Sequence, residues 1–276
     1  MTNSSSKSLV IYSDIHNGST TAICSNEPVT SDKNTTYRPN KLQKALFQAW
    51  NESIDALTQK PNAVVINGEP IDGANPKNAG VQSWTTNIND QINDSAKIIN
   101  LIPRKSNLFF VRGSGYHVDE KGTNYESTLA DKVKATKYRV FKGEIEKESD
   151  YYANIKMNGK LFSFTHHIGF NRWAAYRTTA LAREMAAMHF EKDKLLPYDV
   201  IVRSHVHYFV FVRFVHTFGF TTPAWKFPDG HLFRGGLGGT TPDIGSVEVI
   251  VESNGKIIIE PHIMKLKLLQ DVYEIA

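Results

Sequence analysis

Cysteine is nearly absent from this sequence, which excludes a fold held together by disulfides. Cys24 is the single cysteine among 276 residues, so no internal disulfide can form and a reducing compartment is expected. No apolar stretch approaches the ~20 residues that a membrane-spanning helix requires. Residues 1–7 are polar and serine-rich, and the apolar run after them is too short for a secretory signal. We therefore expect a cytoplasmic protein with no membrane partner.

The sequence also lacks a large excess of positive over negative charge, or the reverse. The chain has 32 lysines and arginines against 28 acidic residues, a formal net charge of +4. This excess is too small to indicate nucleic-acid binding by itself, although it suits an anionic substrate. Hydrophobic residues make up 41% and charged residues 22%, as in ordinary globular proteins. With no internal repeat or linker, we predict a frayed tail at residues 1–7 and a single domain over residues 8–276.

The first half of the chain alternates short apolar runs with segments of helical periodicity. The predicted strands are 9–12, 63–66 and 108–111, and the predicted helices are 39–60, about 88–102 and about 123–136. A strand, a crossover helix and a second strand in this order predict a parallel pair with a right-handed connection.

The second half consists mainly of predicted hairpins. Predicted strands lie at 151–157, 160–165, 199–203, 208–220, 246–252 and 256–265, and one helix is predicted at 173–191 with Trp173 and Tyr176 facing the core. Asn158-Gly159 supplies the positive φ angles of a tight turn. Together the two halves predict an α/β fold, α+β in some schemes, in which two mixed sheets pack together with helices outside. This is a four-layer α-β-β-α sandwich.

Polar residues with metal-binding side chains follow five of the predicted strands. They are Asp14 and His16, Glu69 and Asp72, Ser114 and His117, His166 and His167, and His205 and His207. Six of the ten histidines belong to this set. Ligands of open α/β sheets bind at the carboxyl ends of the strands, and mixed carboxylate and imidazole ligands suit Zn, Mn, Fe or Ni better than Ca. The pattern is typical of a two-metal hydrolytic site.

The ordered set resembles the calcineurin-like metallophosphoesterase family, whose pattern runs Asp-x-His, Gly-Asp, Gly-Asn-His, a lone His and Gly-His-x-His. The matching segments are Asp14-Ile15-His16, Asn67-Gly68-Glu69, Gly113-Ser114-Gly115-Tyr116-His117, Thr165-His166-His167 and Ser204-His205-Val206-His207. Three of the five depart from the pattern, and the stretched third segment resembles phage-type members. For a phage-encoded protein the expected location is the host cytoplasm.

The resemblance implies a metal ligand set. Asp14, His16 and His207 would hold the first metal, and Glu69 would bridge both metals, with Asp72 as the competing candidate. The second metal would take Glu69, His205 and either His166 or His167; we favour His167 because it lies nearer the turn at Gly169. Ser114 stands where the family has an asparagine ligand, and it either binds the second metal, directly or through water, or only forms the turn. The implied cofactors are two divalent ions, Mn, Fe, Zn or Ni, with Mn favoured.

The remaining candidate residues concern catalysis and substrate. His117 corresponds to the family's acid histidine, which protonates the leaving oxygen. Arg112 either clamps a phosphate oxygen through its planar fork or forms a structural ion pair. Trp225 and Lys226 either stack a base and contact a phosphate or plug the second sheet.

The function implied is a dinuclear phosphoesterase in which a metal-bridging hydroxide attacks phosphorus. A phosphodiester of nucleic acid or a nucleotide is the favoured substrate, and a phosphomonoester is the alternative. A scaffold that has lost catalysis and binds a partner is an alternative of another class, motivated by the substitutions at Glu69 and Ser114.

Overall fold

Two five-stranded mixed sheets form the centre of the fold. The computed structural model describes residues 5–30, 35–74, 80–105, 107–115, 124–140, 145–171, 173–191, 193–230 and 241–266. The helices are α1 (Lys41–Asp55), α2 (Ile88–Asn100), α3 (Tyr125–Lys132) and α4 (Thr179–Phe190). The strands are β1 (Lys7–Tyr12), β2 (Val29–Thr30), β3 (Thr36–Tyr37), β4 (Ala63–Asn67), β5 (Asn107–Val111), β6 (Tyr138–Val140), β7 (Ile145–Lys147), β8 (Tyr152–Met157), β9 (Lys160–Thr165), β10 (Val200–Arg203), β11 (Phe211–Phe214), β12 (Thr217–Thr221), β13 (Ile244–Val251) and β14 (Ile257–Met264).

Parallel strands occupy the middle of each sheet. The first sheet has the order β14-β13-β1-β4-β5, in which β1, β4 and β5 are parallel. The second has the order β11-β12-β10-β9-β8, in which β9, β10 and β12 are parallel. Because parallel strands share a carboxyl edge, the segments after β1 and β4 lie side by side, as do those after β9 and β10. The predicted parallel pair of β1 and β4 is confirmed.

Three apolar layers separate four layers of secondary structure, which confirms the predicted sandwich. Leu46, Trp50 and Ile99 of the helices pack with Val10 and Val64 on the outer face of the first sheet. Alternate residues of the same strands face the second sheet and form the central layer, with members that include Leu9, Ile11, Val65, Phe162, Phe164, Val202, Phe220 and Val249. The third layer lies between the second sheet and α4. Within the described residues, no helix has both the length and the apolar character needed to cross a membrane.

The predicted helix at 173–191 is only partly correct. A short 3-10 turn occupies Ala174–Tyr176, and the α-helix begins at Thr179. Trp173 and Tyr176 are 75% and 58% exposed, so their predicted core positions are wrong. The helical period does not extend back through the turn, and only residues within α4, such as Met185, reach the core. The second correction is local: the run at 208–220 is a hairpin, β11 and β12, that reverses near Val215 with a φ of 54°.

Glu248 offers a test of the first sheet's stability. It is fully buried on β13, and its carboxylate accepts hydrogen bonds from the Thr58 backbone N–H at 3.0 Å and hydroxyl at 2.9 Å. His262 Nε2 lies 3.4 Å away. Burial raises the pKa of Glu248, but the hydrogen bonds from His262 and Thr58 more than offset this and lower it.

We predict that Glu248→Gln reduces the free energy of unfolding at pH 7 by about 1–3 kcal/mol, because hydrogen bonds to a charged acceptor are lost. A lowered folded-state pKa stabilises the protein above the unfolded pKa, and this contribution disappears as the pH falls through the folded pKa. Urea unfolding should therefore show a gap between wild type and variant at pH 7 that narrows below about pH 4. A gap of equal size at both pH values would contradict the assignment.

Candidate metal centre

The loops after β1 and β4 continue side by side beyond the first sheet. The Asp14 N–H donates to the carbonyl of Gly68 at 3.1 Å, and the His16 N–H donates to the carbonyl of Glu69 at 2.9 Å. Asp14, His16 and Glu69 are all buried. The pairing brings two carboxylates and an imidazole to the same point at the edge of the sheet.

Five of the candidate ligands have left-handed backbone conformations. Their φ angles are 51° for Asp14, 46° for His16, 54° for Glu69, 72° for His205 and 60° for His207. They make up five of the eight non-glycine residues with positive φ in the described parts of the chain. The conformation costs roughly 1–2 kcal/mol per residue, and such strain clusters at functional sites. The backbone of these residues is thus strained, and the strain is accepted because it places the side chains at the site.

The first group of candidate ligands joins the two sheets. Asp14, His16, Glu69 and His207 each offer a ligand atom, and these atoms lie within 4.8 Å of one another. His207 Nε2 is 3.1 Å from Asp14 Oδ1, and His16 Nε2 is 2.9 Å from Glu69 Oε2. The geometry matches a single cation held by two carboxylates and two imidazoles.

The second group shares Glu69 with the first. Glu69, His166 and His205 also offer ligand atoms within 4.8 Å of one another. Glu69 Oε1 is 3.3 Å from His166 Nε2 and 3.8 Å from His205 Nδ1. The two oxygens of Glu69 therefore face different groups, as a carboxylate that bridges two cations would.

Two imidazoles are oriented by partners behind them. His16 Nδ1–H donates to Asp72 Oδ1 at 3.2 Å, and His166 Nδ1–H donates to the carbonyl of Asn67 at 2.7 Å. Both acceptors fix the proton on Nδ1 and leave the Nε2 lone pair facing the carboxylates. Outer partners of this kind are usual for metal-binding histidines.

The charges in the centre fit a bound cation. Burial opposes ionisation of Asp14, but His207 and His166 offset it and lower its pKa to about 2. Burial disfavours the imidazolium forms of His16 and His166, yet Glu69 and neighbouring acceptors raise their pKa values to about 9 and about 10. Asp14 Oδ1, His166 Nε2 and His205 Nδ1 are buried and accept or donate no hydrogen bond among the described residues. A divalent cation would replace the protons and satisfy these atoms.

The structure brings His166, not the favoured His167, into the centre. His167 is exposed, and its ring is tilted by 34° against that of His205, with centroids 4.6 Å apart. β9 ends at Thr165, so His166 is the first residue past the strand and turns inward beneath Asn67. Asp72 is absent from both groups and instead supports His16 from behind, which favours Glu69 as the bridging residue.

Of three further predicted site residues, Ser114 lies in the centre, Arg112 forms contacts elsewhere, and His117 is not described. Ser114 Oγ donates to Glu69 Oε1 at 2.6 Å, so it lies in the centre beside the second group. Arg112 does not reach it through any contact within the described residues: Arg112 Nε donates to Ser149 Oγ at 2.9 Å, and the guanidinium lies 5.1 Å from the Tyr151 ring centroid. These contacts support the structural alternative for Arg112, and the phosphate clamp stays a prediction. His117 lies outside the described residues.

Trp225 cannot stack a substrate base as predicted. Its ring is fully buried, with centroids 4.7 Å from Trp50 and 6.2 Å from Tyr12. Lys226 is also buried, and its Nζ lies 3.5 Å from Asp72 Oδ1 and 3.4 Å from Asp229 Oδ2. Burial lowers the pKa of Lys226, but these carboxylates raise it overall. Its cation therefore supports Asp72 behind the centre.

Sequence reasoning missed Glu126, which connects two of the motif loops. Its buried carboxylate accepts the Glu69 backbone N–H at 2.9 Å, and its two oxygens accept the Gly113 N–H at 3.0 and 2.9 Å. Burial raises the pKa of Glu126 to about 7, although these backbone N–H groups favour the charged form. Glu126 lies in the first turn of α3, where an acidic residue resembles an ordinary helix-capping residue. No local signal in the sequence distinguishes the two roles.

No protein-family model matches the chain, and no curated protein matches it. Solved structures of low similarity include the phosphoesterase YfcE from E. coli, 15% identical over 91% of this chain and 96% of that one, with a TM-score of 0.42. Wild-type Vps29 from Entamoeba histolytica, complexed with Zn, is 10% identical over 92% and 97%, with a TM-score of 0.41. A novel archaeal phosphodiesterase is 12% identical over 92% and 99%, with a TM-score of 0.39.

These structural neighbours are calcineurin-like phosphoesterases, the family that the sequence motifs resemble. The resemblance to phage-type members is not supported by these structures and stays a prediction. At these TM-scores the likeness carries no functional argument, and the case for function depends on the residues of the centre.

Proposed function

We propose that this chain is a phosphodiesterase that requires two divalent cations, held where the two sheets meet. The observation that carries the proposal is the position of Glu69, whose two oxygens face separate groups of ligands. Asp14, His16 and His207 complete the first group. His166 and His205 complete the second.

The chain's own residues prepare this centre for phosphate-ester hydrolysis. Two bound cations supply polarisation of the phosphoryl oxygen and lower the pKa of a water molecule. Asp72 and the Asn67 carbonyl fix the imidazole orientations, and Glu126 holds the loops of Glu69 and Gly113 together. His117 is proposed to donate a proton to the leaving oxygen, since an alkoxide leaves poorly without one.

We favour nucleic acid or nucleotide diesters as substrates and Mn as the metal. The net charge of +4 suits an anionic substrate. A ligand set of carboxylates and imidazoles accepts several first-row metals, and availability in the cell selects among them. A cytoplasmic location is part of the same proposal.

Hydrolysis of two chromogenic esters tests the proposal. Protein freed of metal with EDTA is assayed with added Mn on bis-p-nitrophenyl phosphate and on p-nitrophenyl phosphate. We expect hydrolysis that depends on the metal, with a higher kcat/KM for the diester. A higher kcat/KM for the monoester would favour a phosphatase. Metal binding without turnover of either ester would favour the partner-binding scaffold.

A further inference from the structure

A polar pocket with an aromatic wall lies beside the loop that follows Asp14 and His16. Its volume is about 300 Å³, at the lower end of the range for small-molecule sites. Tyr37 and Trp84 supply the wall, and Thr85 and Asp90 supply hydroxyl and carboxylate groups. None of these residues belongs to the metal-ligand groups.

Backbone pairing connects this pocket to the metal centre. The Trp84 N–H donates to the carbonyl of Gly18 at 2.8 Å, and Ser83 pairs with Ser19 in an antiparallel bridge. Gly18 lies two residues after His16, a distance of at most about 7 Å along an extended chain. The pocket and the centre are therefore connected through one short loop, the segment from His16 to Ser19.

The aromatic wall is held in place by its neighbours. The rings of Tyr37 and Trp84 stack with centroids 5.2 Å apart and planes 20° apart. The Tyr37 hydroxyl donates to Gln43 Oε1 at 2.6 Å, and Gln43 also closes the capping box of α1 with Asn40. A rigid wall loses little conformational entropy when a ligand stacks on it.

We propose that this pocket binds the nucleoside part of a phosphodiester substrate. A base presents a flat face to the Tyr37 and Trp84 wall, as in other base-stacking sites. Its ring nitrogens and carbonyls match the threonine hydroxyls among the pocket's lining residues, Thr85 and Thr86, and the sugar hydroxyl matches the Asp90 carboxylate, which already accepts from Thr85 Oγ1 at 3.1 Å. The inference builds on the proposed function, because the cleaved phosphate lies at the metal centre.

A pair of diesters with the same leaving group tests the inference. Thymidine 5′-(p-nitrophenyl phosphate) carries a nucleoside, and ethyl p-nitrophenyl phosphate does not. We expect the ratio of their kcat/KM values to favour the nucleoside ester and to fall about tenfold in Trp84→Ala, since a stacked aromatic partner is lost. Trp84→Phe should keep most of the ratio, and Trp173→Ala, which removes an exposed tryptophan elsewhere, should keep all of it.

A binding measurement without metal separates this inference from the proposed function. Saturation-transfer NMR with thymidine in EDTA should show contact to wild type and Trp84→Phe, and none to Trp84→Ala that thermal unfolding shows to be folded. Thymidine contact without any diester hydrolysis would support the pocket and contradict the phosphodiesterase. Diester hydrolysis with neither thymidine contact nor a nucleoside preference would overturn the pocket and leave the phosphodiesterase standing.

Discussion

Asp14→Asn is expected to lower kcat for diester hydrolysis by about 10³-fold or more, the scale on which removal of central electrostatic stabilisation acts. Asp14 is fully buried, and its Oδ1 lies 3.1 Å from His207 Nε2 and 3.9 Å from His166 Nε2. The pKa of Asp14 is low because the imidazoles of His207 and His166 stabilise its charged form. An amide of the same shape keeps the packing but removes the charge that a cation requires.

Metal binding should fail together with activity in this variant. Isothermal titration calorimetry of Mn into EDTA-treated protein measures metal binding, and hydrolysis of bis-p-nitrophenyl phosphate measures activity. Asp55→Asn, an exposed site on α1, is the matched control and should behave as wild type. Wild-type turnover in Asp14→Asn would remove the metal centre from the proposed mechanism.

The parallel pair of β1 and β4 could be predicted because it depends on local patterns in the sequence. Short apolar runs define β1 and β4 within a residue or two, and Asn158-Gly159 forms its turn with φ angles of 45° and 81°. The polar residues that follow each strand collect at one edge because parallel strands end there.

The choice between His166 and His167 could not be predicted, since the regular alternation of a strand stops at Thr165. Beyond that point the side-chain direction depends on a hydrogen bond to Asn67, about a hundred residues away in the chain. The left-handed conformations of Asp14 and Glu69 could not be predicted either, because they depend on contacts between loops that are distant in the chain.

The position of Trp225, an apolar residue, also depends on contacts between segments that are distant in the chain. Its neighbours in sequence are typical of a surface loop, and the rings that bury it, Tyr12 and Trp50, come from β1 and α1. Of the two roles predicted for Trp225, substrate stacking is wrong because the ring is buried, and the predicted plug packs on the first sheet instead of the second. Burial of this kind depends on tertiary packing that composition does not encode.

Glu69→Gln is expected to remove both metals, because the Oε2 atom of Glu69 lies 2.9 Å from His16 Nε2 while Oε1 lies 3.3 Å from His166 Nε2. Loss of a shared charge weakens both groups at once, whereas His166→Ala removes a ligand from the second group alone. Asp72→Asn leaves every ligand in place and weakens only the hydrogen bond that supports His16. We therefore expect it to lower the affinity for the metal about 10–100-fold.

The number of Mn ions bound per chain distinguishes these cases. We expect two for wild type, one for His166→Ala, two weaker ones for Asp72→Asn and none for Glu69→Gln, with Glu52→Gln on the exposed face of α1 as the matched control. Activity should fall by at least about 10²-fold in Glu69→Gln. Two tightly bound ions in Glu69→Gln would assign the bridging role to another carboxylate, because a neutral amide at this position cannot neutralise a pair of divalent charges.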